Sequence, residues 1–120
     1  MKVLALDYGR ARTGVAVSDP TGTIARPLGV VERAATKEGL RRVREIVEKE
    51  QVERVVVGLP LTLRGERGEQ AKETERFVEA LRAALPVPVE LYDERFTSVL
   101  AEGDDARAAA HLLSDYLERA

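Results

Sequence analysis

Short apolar runs alternate with longer amphipathic stretches along this chain, and their order predicts the architecture. The predicted strands are Lys2–Asp7, Thr13–Ser18, Thr23–Glu32, Arg54–Leu59 and Val87–Tyr92. Pro27 makes the third strand irregular or places it at a sheet edge. The fourth strand contains three consecutive valines, which indicates burial on both of its faces.

The amphipathic stretches predict three helices. Thr36 is suited to cap the first, which runs to about Glu50 with its apolar residues along one side. A loop over residues 60–68 precedes a second helix that ends near Leu85, and a last helix runs from about Asp104 to Glu118. Arginines and glutamates interleave along the first helix, which indicates a solvated face rather than an RNA-binding stripe.

The connections between these elements predict a mixed sheet. Tight turns join the first three strands and favour antiparallel pairing, whereas helical crossovers favour parallel addition of the last two. We therefore expect an α/β fold with a five-stranded mixed sheet, three antiparallel strands and then parallel additions, flanked by helices. Ligands gather at the carboxyl ends of strands in such sheets, and both Asp7 and the Asp93-Glu94 pair lie at such ends.

Composition refines this picture mainly by exclusion. A length of 120 residues predicts a single domain over residues 1–120, and the absence of cysteine excludes disulfides, thiolate catalysis and cysteine-zinc sites. The net charge of −2 is not that of a basic nucleic-acid binder, so positive charge for such a partner would have to be local. No apolar run reaches the ~18 residues that span a bilayer, and no signal peptide precedes the first strand. We expect a cytoplasmic protein without a membrane partner.

The first strand ends in the acid that is the strongest candidate for chemistry. Asp7 is followed by a turn that contains Gly9, Arg10 and Arg12. A glycine beside an acid lets a phosphate or a metal-bound oxygen approach without a Cβ in the way, and arginines bind phosphate in fork geometry. Asp7 could instead only accept hydrogen bonds from turn N–H groups. Because Gly9 and Arg12 follow Asp7 in the same turn, the sequence favours a ligand site.

A second acid closes the last strand. Glu94 is followed by Arg95 and then by the hydroxyls of Thr97 and Ser98. These residues could contact a substrate, but Glu94 could also pair with Arg95 at the surface, and the hydroxyls are equally suited to cap the next turn.

The third candidate begins the last helix. Helical spacing places Asp105 on the same face as Ala108, Ala109 and Leu112, which is the side expected to meet the sheet. A carboxylate on a buried face needs a partner, although Asp105 could also serve only as a cap or favour the helix dipole. His111, the single histidine, is interpreted as a helix-surface residue.

Three acids from separated segments suit Mg²⁺ or Mn²⁺. These ions prefer oxygen ligands and bind together with water and substrate phosphate. Two such ions, about 4 Å apart, can generate hydroxide and stabilise the leaving oxygen of a phosphodiester. The sequence therefore predicts a site in which a metal ion meets a nucleic-acid phosphate.

Several motifs together resemble the YqgF (RuvX) family. They are Leu6-Asp7-Tyr8-Gly9, Arg12-Thr13-Gly14-Val15-Ala16-Val17-Ser18-Asp19, Val57-Gly58-Leu59-Pro60-Leu61, Asp93-Glu94-Arg95-Phe96-Thr97-Ser98 and the ending Asp105…Ala108-Ala109…Leu112-Leu113…Tyr116-Leu117. Family members are RNase H-like proteins described as nucleases of pre-16S rRNA and earlier as Holliday junction resolvases. The resemblance implies an RNase H-like fold, a cytoplasmic role in ribosome biogenesis, and an acidic metal site formed by Asp7, Glu94 and Asp105.

The chain departs from the family pattern in two places. Ala11 stands where the family often has a lysine, and the stretch between Ser98 and Asp104 is shorter than is usual in the family. We expect both departures to weaken the hold on the substrate.

These observations lead to one hypothesis and two alternatives. The hypothesis is a metal-dependent endonuclease, a hydrolase that processes the 5′ end of pre-16S rRNA, as a monomer or a homodimer. The first alternative is a Holliday junction resolvase on branched DNA, which would need two sites and hence a dimer. The second is a non-catalytic nucleotide-binding or ribosome-assembly module, which would bind ATP tightly and cleave neither RNA nor DNA.

Overall fold

Five strands and three helices form the part of the chain that the structure describes. This computed structural model describes residues 1–60, 68–94 and 105–119, with Pro60 and Glu94 described by their backbones alone. The elements are β1 (Val3–Asp7), β2 (Arg12–Ser18), β3 (Ala25–Glu32), α1 (Lys37–Glu50), β4 (Arg54–Pro60), α2 (Glu69–Ala84), β5 (Val89–Glu94) and α3 (Asp105–Arg119).

The strands form one mixed sheet in the order β3-β2-β1-β4-β5. β1, β2 and β3 pair antiparallel, whereas β4 pairs parallel to β1, and β5 pairs parallel to β4. The predicted architecture, with three antiparallel strands and two parallel additions, is confirmed. β3 lies at an edge, and its pairing with β2 shifts register between Val15 and Ala16, opposite Gly29 and Pro27. This irregularity follows from the proline, which has no N–H to donate to a ladder.

The two faces of the sheet are covered by different helices. Leu4 and Leu6 of β1 belong to the core cluster that α1 and α2 complete, whereas Val3 and Ala5 pack with the buried side of α3. Side chains alternate along a strand, so Asp7 continues the series of Val3 and Ala5 on the α3 face. The next residue, Tyr8, packs against the other cluster.

Local signals in the sequence set most of the element boundaries. Thr36 caps α1 as predicted, since its hydroxyl accepts a hydrogen bond from the N–H of Gly39 at 3.1 Å. The exposed face of α1 carries ion pairs within the helix, such as Arg44 with Glu48, which confirms the predicted solvated face. β5 begins two residues later than predicted, because Pro88 has no N–H to donate to the ladder, although its carbonyl accepts the Val55 N–H at 2.9 Å.

The loop predicted over residues 60–68 lies largely outside the described residues, which omit 61–67. Among the helices within the described ranges, none combines the length and the apolar character that crossing a bilayer requires.

Candidate functional site

Asp7 and Asp105 are brought together on the α3 face of the sheet. Asp7 ends β1 and pairs across the sheet with Gly14 of β2. α3 begins at Asp105 and packs directly against Gly14, where an added Cβ would lie 1.7 Å from the Asp105 carbonyl oxygen. Gly14 therefore permits the close approach of backbones that places the start of α3 beside the end of β1.

The electrostatics of Asp7 show that its charge is poorly compensated. Burial raises the pKa of Asp7 to about 6, and repulsion from the neighbouring Asp105 adds to the increase. An acid that accepted several turn N–H bonds would have a lowered pKa instead. Within the described ranges the Asp7 carboxylate accepts no hydrogen bond, so the interpretation as a simple turn acceptor lacks support.

The turn after Asp7 depends on Gly9. A Cβ at Gly9 would lie 2.4 Å from the carbonyl oxygen of Arg12, so only glycine fits this turn. The Thr13 hydroxyl is buried beneath the turn and lies 3.4 Å from both the nitrogen and the oxygen of Gly9. The turn thus holds Arg10 and Arg12 at the same end of the sheet as Asp7.

The two arginines of this turn contact different acids. The Nε of Arg12 lies 3.2 Å from an Oδ of Asp105, and its side chain is 64% exposed. Arg10 forms an ion pair with Glu73 of α2 and is 82% exposed. Arg12 therefore lies beside the aspartate pair, while Arg10 points to the side of the sheet that α2 covers.

Glu94 ends β5 at the same end of the sheet. Its backbone pairs with Pro60, the last residue of β4. Its side chain lies outside the described structure, as do Arg95, Thr97 and Ser98. No group of three potential ligands of the His, Cys, Asp and Glu types could hold a metal ion within the described ranges. The predicted triad is thus described for two of its three side chains.

The Asp7–Asp105 pair fits a hard divalent cation. Two carboxylates supply the oxygen ligands that Mg²⁺ and Mn²⁺ prefer. A cation between them would offset both the burial of Asp7 and its repulsion by Asp105, which together raise its pKa. This donor chemistry makes Asp7 and Asp105 the residues suited to a metal ion.

Two polar residues lie outside this site, and the predicted surface position of the second, His111, is confirmed. Asp19 belongs to a turn, where it accepts hydrogen bonds from the N–H groups of Thr23 and Ile24, and these bonds lower its pKa. His111 is exposed on α3.

Arg33 also lies near this end of the sheet, although no pattern in the sequence predicts it. Arg33 lines a pocket of about 440 Å³ together with Tyr8 and Arg10. Its backbone has a φ of 47°, which is rare for a residue other than glycine or asparagine. No local pattern could have revealed Arg33, because it follows a different strand and reaches Tyr8 only through the packing of the sheet.

Comparison with known proteins identifies the family of this chain and agrees with its fold. The sequence model of the family described as "RuvX: Holliday junction resolvase" matches residues 1–119. The chain belongs to the RuvX family. The resemblance noted in the sequence is thereby confirmed, and the chain belongs to a family of nucleases.

Relatives in the RuvX family are similar over nearly the whole chain. A protein of Chloroflexus aurantiacus named "Putative pre-16S rRNA nuclease" is 43% identical over 131 aligned positions, which cover 97% of this chain and 86% of that protein. A protein of Syntrophomonas wolfei with the same name is 38% identical and is covered to 94%. Because 131 aligned positions exceed the 120 residues of this chain, the Chloroflexus protein has residues that this chain lacks.

Two of the solved structures with a similar fold are those of resolvases. The structure titled "T. thermophilus RuvC in complex with Holliday junction substrate" has a TM-score of 0.66 and 21% identity, and the match covers 99% of this chain and 94% of that one. The Fowlpox virus resolvase in complex with Holliday junction DNA has a TM-score of 0.60 and 14% identity, and covers 99% and 98% of the two chains. The RNase H-like fold predicted for the RuvX chain is confirmed.

Proposed function

We propose that this protein is a metal-dependent endonuclease that hydrolyses nucleic-acid phosphodiesters. The observation that carries the proposal is the Asp7–Asp105 pair, in which a buried carboxylate with a raised pKa lies beside a second acid at the carboxyl end of β1. Membership of a nuclease family supports it. The 120 residues act as a single nuclease domain in the cytoplasm.

Each residue of the site has a distinct role in this proposal. Asp7 and Asp105 would hold a Mg²⁺ or Mn²⁺ ion, with Glu94 as a third ligand. Such an ion, held by these carboxylates, would supply activation of an attacking water and charge stabilisation at the leaving oxygen. Arg12 lies beside Asp105, where its guanidinium would meet the substrate phosphate and keep the Asp105 carboxylate in place.

The Gly9 turn and the segment after β5 complete the proposed contacts with the substrate. Gly9 lets the phosphate approach the turn backbone, and Arg10 contributes positive charge. Arg95, Thr97 and Ser98 follow Glu94 in the chain and are proposed as further contacts to the same strand.

The favoured substrate is precursor ribosomal RNA. The relatives at 43% and 38% identity are named for pre-16S rRNA, and they match almost the full chain. We propose cleavage at the 5′ end of this precursor. The alternative is a Holliday junction, which the description of the family as a Holliday junction resolvase favours. Symmetric cleavage of a four-way junction requires two sites, so this alternative requires a homodimer, whereas RNA cleavage is compatible with a monomer.

A direct cleavage assay tests the proposal. Purified full-length protein is incubated with precursor 16S rRNA and with four-way junction DNA, with Mg²⁺, with Mn²⁺ or with a chelator. We expect cleavage of the RNA that needs the metal and is absent in Asp7→Asn. Cleavage of the junction alone would favour the resolvase. Absence of cleavage of either substrate, together with tight ATP binding, would contradict the nuclease proposal and favour a non-catalytic module.

A further inference from the structure

A concave pocket lies on the other side of β1 from the aspartate pair. It has a volume of about 440 Å³ and is lined by Tyr8, Arg10, Ala11, Arg33, Ala35 and Thr36; we call it the Arg33 pocket. Tyr8 directly follows Asp7, and alternation along the chain directs the two side chains to opposite faces. The pocket therefore begins one residue away from the proposed metal site, a separation of about 3.8 Å between Cα atoms.

The backbone of Arg33 is held in an unusual conformation at the edge of this pocket. Its φ of 47° lies in the left-handed region, which is disfavoured for a residue with a long side chain. Its N–H donates to the Ala11 carbonyl at 2.9 Å, and its carbonyl accepts from the Thr36 N–H at 3.0 Å and from the Thr36 hydroxyl at 2.7 Å. These bonds fix the backbone of Arg33 and hence the direction of its Cα–Cβ bond.

The Arg33 side chain differs from its neighbours in its ionic contacts. Arg26 of β3 lies near Glu50, and on α1 Arg41 pairs with Glu38 while Arg44 pairs with Glu48. The guanidinium of Arg33, by contrast, is exposed and has no ion pair or hydrogen bond with the part of the chain that the structure describes. Among the described residues, Arg33 is thus an unpaired cation at the rim of the pocket.

The rest of the pocket supplies a second guanidinium, whose charge is paired with that of Glu73, and a rigid wall. Arg10 contributes a second, exposed guanidinium, tethered by its ion pair with Glu73. The ring of Tyr8 is stacked on Phe77 of α2, with 4.5 Å between the ring centroids, and Phe77 is fully buried. Two guanidiniums around a fixed aromatic wall suit an anion with hydrogen-bond acceptors, such as the phosphate of a nucleic-acid backbone.

We propose that the Arg33 pocket binds a backbone phosphate of the substrate strand close to the phosphate that is cleaved, with Arg33 as the main contact. This inference rests on the proposed nuclease function and deepens it. A strand that crosses the end of β1 passes from the Asp7–Asp105 pair on one side to Tyr8 and Arg33 on the other. The pocket then positions the strand without reading its bases, because phosphate contacts carry no sequence information.

The test measures binding rather than cleavage, so that it is independent of the metal site. Arg33→Gly removes the guanidinium and at the same time suits the left-handed backbone, so the fold is retained. Affinity for a fluorescent single-stranded RNA is measured over a range of salt concentrations in a chelating buffer. We expect affinity to fall roughly tenfold, and the slope of log affinity against log salt to shrink by about 0.7, the value for one phosphate contact on a single strand.

Matched variants separate this role from general charge. Arg44→Ala removes an equal charge from the exposed face of α1, where Arg44 pairs with Glu48, and we expect it to change neither quantity. Arg33→Lys keeps the charge and should restore most of the salt slope. Equal effects of Arg33→Gly and Arg44→Ala would overturn the inference but leave the proposed function intact. No RNA binding by the wild-type protein would overturn both.

A competition arm identifies the source of the phosphate. Inorganic phosphate and AMP are added to the RNA complex at concentrations up to those of the salt titration. We expect phosphate and AMP to displace the RNA only as far as their contribution to the ionic strength accounts for. Displacement by AMP at far lower concentration, lost in Arg33→Gly, would show that the pocket binds a free nucleotide, and would overturn the assignment to the nucleic-acid backbone.

Discussion

Asp7 and Asp19 are two aspartates at the ends of neighbouring strands, and they have opposite electrostatic environments. Asp7 ends β1, and Asp19 follows β2; because these strands are antiparallel, the two residues lie at opposite ends of the sheet. Burial and the neighbouring Asp105 raise the pKa of Asp7 to about 6. Hydrogen bonds from Ile24, Thr21 and Thr23 lower the pKa of Asp19.

The difference between the two acids supports the proposed role of Asp7 as a metal ligand. Asp19 accepts N–H bonds from Thr23 and Ile24 at 2.7 and 2.9 Å, so its charge is already stabilised by the chain. Asp7 is buried and lies beside another acid, so its charge is destabilised in the metal-free protein, and a bound cation would stabilise it. Keeping the Asp7 carboxylate charged in the folded protein therefore costs free energy, whereas keeping Asp19 charged does not. A strongly perturbed acid of this kind is typical of functional sites.

The largest expected effect is on catalysis. Asp7→Asn keeps the shape of the side chain but removes the charge that would hold the metal ion, so cleavage should fall on the order of a hundredfold or more. Asp19→Asn, the matched change at the other end of the sheet, should leave cleavage unchanged. Both variants are compared with the wild type under saturating Mg²⁺ and Mn²⁺. Full activity in a folded Asp7→Asn protein would remove Asp7 from the site.

A second prediction concerns the packing that joins the two aspartates. Gly14→Ala places a Cβ against the Asp105 carbonyl oxygen, so α3 must shift away from β2. The free energy of unfolding should fall by about 2–3 kcal/mol, and metal affinity should fall with it. Gly68→Ala is the control, since a Cβ at Gly68 would contact no atom within 4 Å. Chemical denaturation of both variants measures the difference, and equal stability would refute the close approach of α3.

The raised pKa of Asp7 predicts a pH-dependent gain in stability on substitution. The folded metal-free protein holds the Asp7 proton up to about pH 6, whereas the unfolded chain releases it near 3.8. Stability from this group is therefore present at low pH and is lost as the pH rises between these two values. Asp7→Asn should stabilise the metal-free protein at neutral pH by on the order of 2 kcal/mol. At about pH 4 the gain should largely vanish, and urea unfolding with a chelator at both pH values measures it.

A smaller effect is that of Asp105→Asn on the pKa of Asp7. Asp105 contributes to the increase by repulsion, but burial is the larger cause. Asp105→Asn should therefore lower the pKa of Asp7 from about 6 only part of the way to its ordinary value. Titration of the Asp7 carboxyl carbon by NMR in metal-free protein measures the shift. An unchanged pKa would mean that the two carboxylates do not interact in solution.

The smallest predicted effect is that of Arg12→Ala on stability. The Arg12–Asp105 ion pair is largely exposed, so its loss should cost less than about 1 kcal/mol. Binding of RNA should nevertheless become less salt-dependent, with the slope reduced by roughly one phosphate contact. An unchanged slope with reduced metal affinity would show that Arg12 serves Asp105 rather than the substrate.

Local patterns in the sequence determined much of the architecture. Alternating and continuous apolar runs predicted the strands, because each residue's burial follows the period of its own element. Thr36 predicted the start of α1, and Asp7 before Gly9 predicted the turn at the end of β1. Both signals are local, because caps and turns depend on residues close in the chain. Asp105 was placed on the buried side of α3 by helical spacing alone, and its neighbours Ala108 and Ala109 are indeed buried.

Only the tertiary structure decided which of these groups meet. Whether Asp105 lies beside Asp7 depends on the approach of α3 to Gly14, more than ninety positions away in the chain, and no local pattern encodes that distance. The pKa of Asp7 likewise follows from the burial that this packing creates. Arg33 lies near Tyr8 and Arg10 because β3 pairs with β2, which brings the Arg33 N–H to the carbonyl of Ala11 in the turn between β1 and β2. Contacts of this kind are a property of the packed sheet and helices, whereas the sequence determines the elements that pack.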